Sequence, residues 1–117
     1  MTLRWGDWAA EAEATVATAL SKWQRGAGCG FAVVFKIGLC SSPLQRYTHP
    51  VIGYEKDNFQ MEVIAASTSR YIAELEKHLI RAYTNTPGLL NVAKGGEGAG
   101  PFGTHGFCYV VGKLCPL

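Results

Sequence analysis

The stretch RYIAELEKHLIRAY, residues 70–83, combines a strong helical pattern with one acidic residue on its apolar side. On a helix, at about 100° per residue, its apolar side chains gather into an arc roughly 140° wide. These side chains are Ile72, Leu75, Leu79, Ile80 and Tyr83. Glu76 falls near the middle of that arc, where a carboxylate is costly unless something pairs with it. The stretch therefore predicts a packed amphipathic helix with a buried acid that requires an explanation.

Length and composition predict a single domain over residues 1–117. The chain has 48% hydrophobic and 17% charged residues, which is typical of a globular protein and not of a disordered one. A net charge of +2 permits a nucleic-acid partner but does not demand one. No apolar run approaches the ~20 residues of a membrane span, and the N-terminus lacks the apolar core of a signal peptide. We therefore expect an intracellular protein, cytoplasmic or nuclear, without a membrane partner.

Two further segments predict helices. Residues 3–24 are rich in Ala and Glu and carry all three tryptophans, Trp5, Trp8 and Trp23, near one side. We expect these rings to pack in the core, because a platform for nucleic-acid bases would need them exposed beside cationic groups. SSPLQRYTH, residues 41–49, opens with a helix-start signal and predicts a short helix that ends at about Pro50.

Three segments predict strands. FAVVFKIGL, residues 31–39, is apolar on both faces and predicts a central strand. QMEVIAAS, residues 60–67, predicts a strand with Met61, Val63 and Ala65 on one face. FCYVVGKL, residues 107–114, predicts a last strand, reached through a glycine-rich loop that we expect to pack on the domain. The order of elements indicates an α+β fold with a three-stranded sheet.

The four cysteines leave three interpretations open. Cys29, Cys40, Cys108 and Cys115 contain no Cys-x-x-Cys pair. Reduced, buried thiols are the simplest interpretation in the absence of a secretory signal. A zinc site recruiting His105 or His49, or a set of disulfides, is the alternative.

Several short motifs occur in an order that resembles one enzyme family. The strand end KIG (36–38) is followed by Ser-Ser-Pro and then by Arg46, eight residues after the glycine. LEKHLI with Glu76 comes next, and LLNVAKGGEGAG with Asn91 follows it. Together these elements resemble the GIY-YIG nuclease superfamily over roughly residues 31–98. The helix at 3–24 would be an addition to that core, and residues 99–117 would supply the glycine-rich loop and the C-terminal strand.

The resemblance implies a small three-stranded antiparallel sheet flanked by helices and a metal-dependent endonuclease acting on DNA. By that resemblance, Glu76 binds the single divalent cation, Mg²⁺ or Mn²⁺, which would explain its place in the apolar arc. Arg46 would clamp the scissile phosphate, and Asn91 would hold the site together by hydrogen bonds. Further candidates at the site are Lys36, which stands where the family has its second tyrosine, His49, three residues beyond Arg46, and Arg70, as a substrate-binding group.

The first tyrosine strand of the family is missing upstream of residue 31. Residues 106–111, GFCYVV, resemble the family's Gly-x-Tyr strand, with Gly106 at the start and Tyr109 three residues later, and we expect this last strand to fill the vacant sheet position in a circularly permuted arrangement. Tyr109 would then be the catalytic tyrosine. The alternative is an added edge strand with Tyr109 in the core. The permuted arrangement requires residues 107–112 to pair with residues 31–38.

Two classes of function follow from the sequence. In the first, the chain is an active endonuclease. In the second, the site has decayed and the fold binds nucleic acid or a protein partner. The second class would suit a Glu76 that is simply paired with a basic neighbour such as Arg46 or Lys36, and a Lys36 that reaches solvent.

Overall fold

The computed structural model describes residues 5–25, 29–91 and 105–117, which form an α+β fold. Its helices are α1 (Trp5–Arg25), α2 (Pro43–Thr48) and α3 (Ser69–Ala82). Its strands are β1 (Phe31–Cys40), β2 (Gln60–Thr68) and β3 (His105–Pro116), and a 3₁₀ turn at Glu55–Asp57 precedes β2. The predicted elements are confirmed to within about two residues at each end, which is the usual uncertainty of such boundaries.

The sheet is antiparallel, with the order β1-β3-β2. β3 lies in the centre and pairs with β1 from Phe31↔Pro116 to Cys40↔Phe107. The pairing that the permuted arrangement required is therefore confirmed, and the alternative of an added edge strand is wrong. The prediction that residues 31–39 form the central strand is also wrong. Double-sided burial gave β1 the pattern of a central strand, although it has a strand on one side only.

One face of the sheet is covered by α1 and α3. The predicted arc of α3 is confirmed, because Ile72, Leu75, Leu79 and Ile80 are buried against this face. Burying each such side chain contributes about 1.5–3 kcal/mol. This packing, more than intrinsic helix propensity, therefore stabilises the fourteen-residue helix. Glu76 shares the arc and is 3% exposed.

The opposite face carries a smaller cluster. Its buried members are Cys40, Tyr109 and Val111, with Tyr54, Phe59, Met61 and Phe107 packed against them. Side chains alternate between the faces along a strand, so Tyr109 points to this face while its neighbour Cys108 points towards the helices.

β2 departs from the predicted alternation. The register with β3 shifts between Val63 and Ala65, so Ile64 is the extra residue of a β-bulge. Ile64 and Ala65 consequently both pack on the helix side, whereas Val63 is 44% exposed. The prediction that Met61, Val63 and Ala65 share one face is wrong for this reason.

The free edge of β1 is covered by the segment after α3. The amide of Phe35 donates to the carbonyl of Gly88 at 2.9 Å, and the amide of Leu90 donates to the carbonyl of Phe35 at 2.8 Å. Gly88 has φ +95°, and a side chain there would collide with the carbonyl of Val33. This glycine allows the chain to run close beside β1, so that Asn91 arrives next to the KIG strand end.

The cysteines are free thiols: Cys40 and Cys108 are buried, Cys115 is half-buried and Cys29 is exposed. Among the described residues no group of three or more His, Cys, Asp or Glu side chains is placed to hold a metal ion, which leaves the zinc alternative without support there. No helix in the described part of the chain is long and apolar enough to cross a membrane. The prediction for the glycine-rich loop falls mainly on residues 92–104, outside the described residues.

Candidate functional site

The site is organised around the register pair formed by Gly38 and Tyr109. A Cβ atom on residue 38 would lie 2.5 Å from the Tyr109 hydroxyl oxygen and 2.6 Å from its Cζ. The glycine of the KIG strand end thus leaves the space in which the phenol sits. Tyr109 is 1% exposed, so its ring is part of the core while its hydroxyl takes part in a polar network.

Arg46 reaches this hydroxyl from α2. Ser42 is the N-cap of that helix and Pro43 occupies its first turn, which confirms the helix-start signal in the sequence. Arg46 lies in the last turn and its Nε donates to the Tyr109 hydroxyl at 3.3 Å. The structure therefore brings two predicted site residues, far apart in the sequence, into direct contact.

The hydrogen-bond network keeps Arg46 charged and Tyr109 neutral. The hydrogen bond with Tyr109 raises the pKa of the Arg46 guanidinium, with burial opposing it. Burial raises the pKa of the Tyr109 phenol well above its ordinary value, and this outweighs the lowering by Arg46. At neutral pH the phenol retains its proton and so can donate a hydrogen bond as well as accept one.

Tyr54 is a member of the cluster that the sequence analysis missed. The Tyr109 hydroxyl donates to the Tyr54 hydroxyl at 3.3 Å, and the two rings meet edge to face with centroids 5.9 Å apart. Tyr54 lies in the irregular segment between α2 and β2. No periodicity describes such a segment, so the sequence offers no signal that would place this side chain beside β3.

His49 stabilises a turn in the same segment between α2 and β2. Its Nδ1 accepts hydrogen bonds from the amides of Val51 and Ile52, both at 3.1 Å. The exposed imidazole thereby shapes the turn that leads to Tyr54. The catalytic role expected for His49 stays a prediction, and the structure gives this residue a local structural role.

Asn91 binds the main chain of β1 through both ends of its side chain. Its Oδ1 accepts from the Ile37 amide at 2.9 Å, and its Nδ2 donates to the Ile37 carbonyl at 2.8 Å. The side-chain amide thus replaces one residue of a neighbouring strand and fixes the strand between Lys36 and Gly38. This is the kind of holding role that the resemblance implied. Lys36 is half-buried and lies on the same face as Tyr109, since it pairs with Val111.

Glu76 approaches the same end of the sheet from the helix side. Burial is the main cause that raises the pKa of the Cys108 thiol, and the Glu76 carboxylate adds to it. Cys108 pairs with Leu39, directly next to the Gly38–Tyr109 pair. Glu76 and the Arg46–Tyr109 contact therefore lie at one end of the sheet but approach it from opposite faces.

The Glu76 carboxylate is the type of ligand that a hard cation prefers, since Mg²⁺ is commonly bound through one or two carboxylates while it keeps several waters. At 3% exposure this carboxylate leaves little open surface for a hydrated ion, and the described residues hold no further cluster of ligands around it. Arg70 lies in the first turn of the same helix and is exposed, on the side of the sheet opposite the face that carries Tyr109.

Comparison of the chain with protein-family models, curated proteins and solved structures finds no match.

Proposed function

We propose that the chain is an intracellular, metal-dependent endonuclease that hydrolyses DNA phosphodiester bonds by a GIY-YIG-like, single-metal mechanism. The observation that carries the proposal is the contact between Arg46 and Tyr109 opposite Gly38. The contact supports the proposal because the permuted arrangement predicted that the last strand would pair with residues 31–38 and that Tyr109 and Arg46 would both belong to the site. The holding role of Asn91 adds to this support.

In the proposed mechanism Arg46 binds the scissile phosphate. Its guanidinium is half-exposed and its Nε is oriented by Tyr109, so its remaining N–H groups are available to phosphate oxygens. The fixed positive charge offsets the negative charge that develops on those oxygens in the transition state. Lys36, on the same face, supplies a second cationic contact with the phosphate backbone.

Tyr109 positions Arg46 in this scheme, because its buried hydroxyl accepts the hydrogen bond from the arginine. The raised pKa keeps its proton on the phenol at neutral pH, so it acts as a hydrogen-bonding group and not as a base. Solvent takes up the proton that the attacking water releases. Tyr54 orients the phenol by accepting its hydrogen bond. Glu76 would hold the divalent cation, which supplies Lewis-acid activation of the phosphate and stabilisation of the leaving oxygen.

A second candidate function is a catalytically inactive module that binds nucleic acid or a protein partner. The observation that favours it is the position of Glu76, which is 3% exposed and packs on the opposite sheet face from Tyr109. In that case the carboxylate shapes the core and the Arg46 cluster is a binding surface.

Plasmid nicking in Mg²⁺ or Mn²⁺ tests the proposal. The wild-type chain is compared with Glu76→Ala and with Glu11→Ala, which removes an exposed carboxylate from α1 as a matched control. We expect nicking by the wild type and by Glu11→Ala, and a loss of about a hundredfold or more for Glu76→Ala. Nicking by Glu76→Ala at the wild-type rate would refute the role of Glu76. A wild-type chain that is folded and inactive in both metals would favour the binding module.

A further inference from the structure

A groove between the first turn of α1 and the outer side of α3 joins exposed aromatic rings to cationic side chains. It encloses about 400 Å³. Its lining residues are Trp5, Arg70, Tyr71, Glu74, His78 and Arg81. None of these residues belongs to the cluster around Tyr109, and only Arg70 was expected from the sequence to contact substrate.

The aromatic part of the groove corrects the expectation that all three tryptophans pack in the core. Trp23 is 5% exposed, but Trp5 is 42% exposed and Tyr71 is 53% exposed. The Trp5 ring is held in place by edge contacts with Trp8 and with His78, at centroid distances of 5.5 and 6.1 Å. A ring that is fixed and still exposed can stack on a planar ligand at little entropic cost.

The cationic part of the groove consists of Arg70 and Arg81. The guanidinium groups of Arg70 and Arg81 form no ion pair or hydrogen bond with the rest of the described chain. Glu74 lies between them on the same face of α3, and Glu13 stands 3.4 Å from the His78 Nε2. Two arginines and one acidic residue line the groove, so the lining itself carries a positive charge, which the Glu13 carboxylate behind His78 reduces.

We propose that this groove binds a single-stranded segment of nucleic acid, with bases stacked on Trp5 and Tyr71 and phosphates bound by Arg70 and Arg81. Stacking requires bases that are not buried in a duplex, and paired arginine and aromatic side chains are the usual composition of sites for single strands. Arg81 follows Arg70 by eleven positions of helix, or about 16 Å, which leaves room for more than one nucleotide.

The groove begins at the same end of the sheet as the site. Arg70 follows β2, whose last residue Thr68 pairs with His105 at the start of β3. A strand lying in the groove can therefore continue towards the Gly38–Tyr109 pair. The inference deepens the proposed function by naming a second contact with its substrate, and in this sense rests on it. Binding is nevertheless measurable without metal, so that its failure is distinct from a failure of cleavage.

The test is fluorescence anisotropy of a labelled short oligothymidine in the presence of a chelator, with the full chain. Trp5→Ala and Tyr71→Ala should each weaken binding by about five- to a hundredfold, whereas Tyr71→Phe keeps the ring and should bind like the wild type. Arg81→Ala should weaken binding and lower the slope of log affinity against log salt by about 0.7. Arg25→Ala, which removes an exposed charge at the other end of α1, is the matched control and should leave both unchanged.

Two results would overturn the inference. One is a wild-type chain that is folded but does not bind oligothymidine at low salt. The other is binding that Trp5→Ala and Tyr71→Ala do not affect, or that a base-free polyphosphate matches, since either would indicate a purely electrostatic surface. Circular dichroism melting of each variant confirms that a loss of binding is not a loss of folding.

Discussion

At the scale of single residues, the candidate site depends on an absent side chain. Gly38→Ala would place a methyl group 2.5 Å from the Tyr109 hydroxyl, and the rigid ring, 1% exposed, has little space into which to move. We expect the free energy of unfolding to fall by about 1–3 kcal/mol, together with nicking activity, because the phenol leaves Arg46. Urea denaturation and plasmid nicking measure the two effects. Gly6→Ala, in α1 with open space around it, should instead be neutral or slightly stabilising.

The Tyr109 hydroxyl also allows structural and catalytic roles to be separated. Tyr109→Phe removes the hydrogen bonds to Arg46 and Tyr54, and Tyr47→Phe removes a comparable hydrogen bond from the Tyr47 hydroxyl to the Phe59 carbonyl at 2.7 Å. Each change should cost about 0.5–1.5 kcal/mol of stability. Only Tyr109→Phe should reduce nicking, by about tenfold to a hundredfold, because it disturbs the geometry of Arg46, the proposed phosphate-binding group. Equal nicking by the two variants would contradict the role of Tyr109.

At the scale of elements, the edge of β1 depends on one side-chain amide. Asn91→Ala leaves both the amide and the carbonyl of Ile37 without their partner, at about 1–3 kcal/mol for each group that stays buried. Asn91→Asp keeps the acceptor for the Ile37 amide but turns a second acceptor oxygen towards the Ile37 carbonyl, so it should cost at least as much stability as the alanine variant. Asn85→Ala, at an exposed position, is the control. Hydrogen exchange of the Ile37 amide should accelerate in the alanine variant alone. Unchanged protection of this amide in Asn91→Ala would contradict the role of Asn91 in holding β1.

The elements also mark the limit of what the sequence predicts. Helix and strand boundaries followed from periodicity and caps, and the pairing of the last strand with the first was expected only from the resemblance to the GIY-YIG family. The bulge at Ile64 did not, because a single extra residue changes the side-chain alternation without any mark in composition. No sequence pattern predicted the contacts of Tyr54 or of residues 88–91 beside β1, since both depend on long-range contacts of irregular chain.

At the scale of the whole molecule, the sheet separates two sets of candidate residues. Arg46, Tyr54 and Tyr109 meet on one face, and Glu76 approaches the same end from the helix face. The resemblance implied that Arg46, Tyr109 and Glu76 would contribute to one site, but it could not say from which side each arrives, because the face depends on strand order and register. Any joint action of Glu76 and Arg46 must therefore take place past the ends of the strands, near Gly38.

The whole fold should lose stability in alkali, because several buried groups have pKa values raised by their surroundings. Burial raises the pKa of Cys108, Cys40, Tyr109 and Tyr83, with Glu76 adding to the effect at Cys108. A thiol in the unfolded chain loses its proton above about pH 8.5, while the folded chain retains it. The unfolded state then binds fewer protons, so the free energy of unfolding is at its full value below that pH and falls as the pH rises.

The contribution of Cys108 can be isolated from the slope of the free energy of unfolding against pH. Between about pH 9 and pH 10 a single retained proton lowers the free energy of unfolding by up to about 1.4 kcal/mol per pH unit. Cys108→Ala should remove this share of the slope, whatever its cost in packing, because the slope reports bound protons and not contacts. The share of Cys40, whose pKa is also raised, should remain. Cys29→Ala, which deletes an exposed thiol, is the control. Urea denaturation at a series of pH values measures the slopes, and a Cys108→Ala slope equal to that of the wild type would show that this thiol is not shielded from solvent by the α3 helix and the sheet.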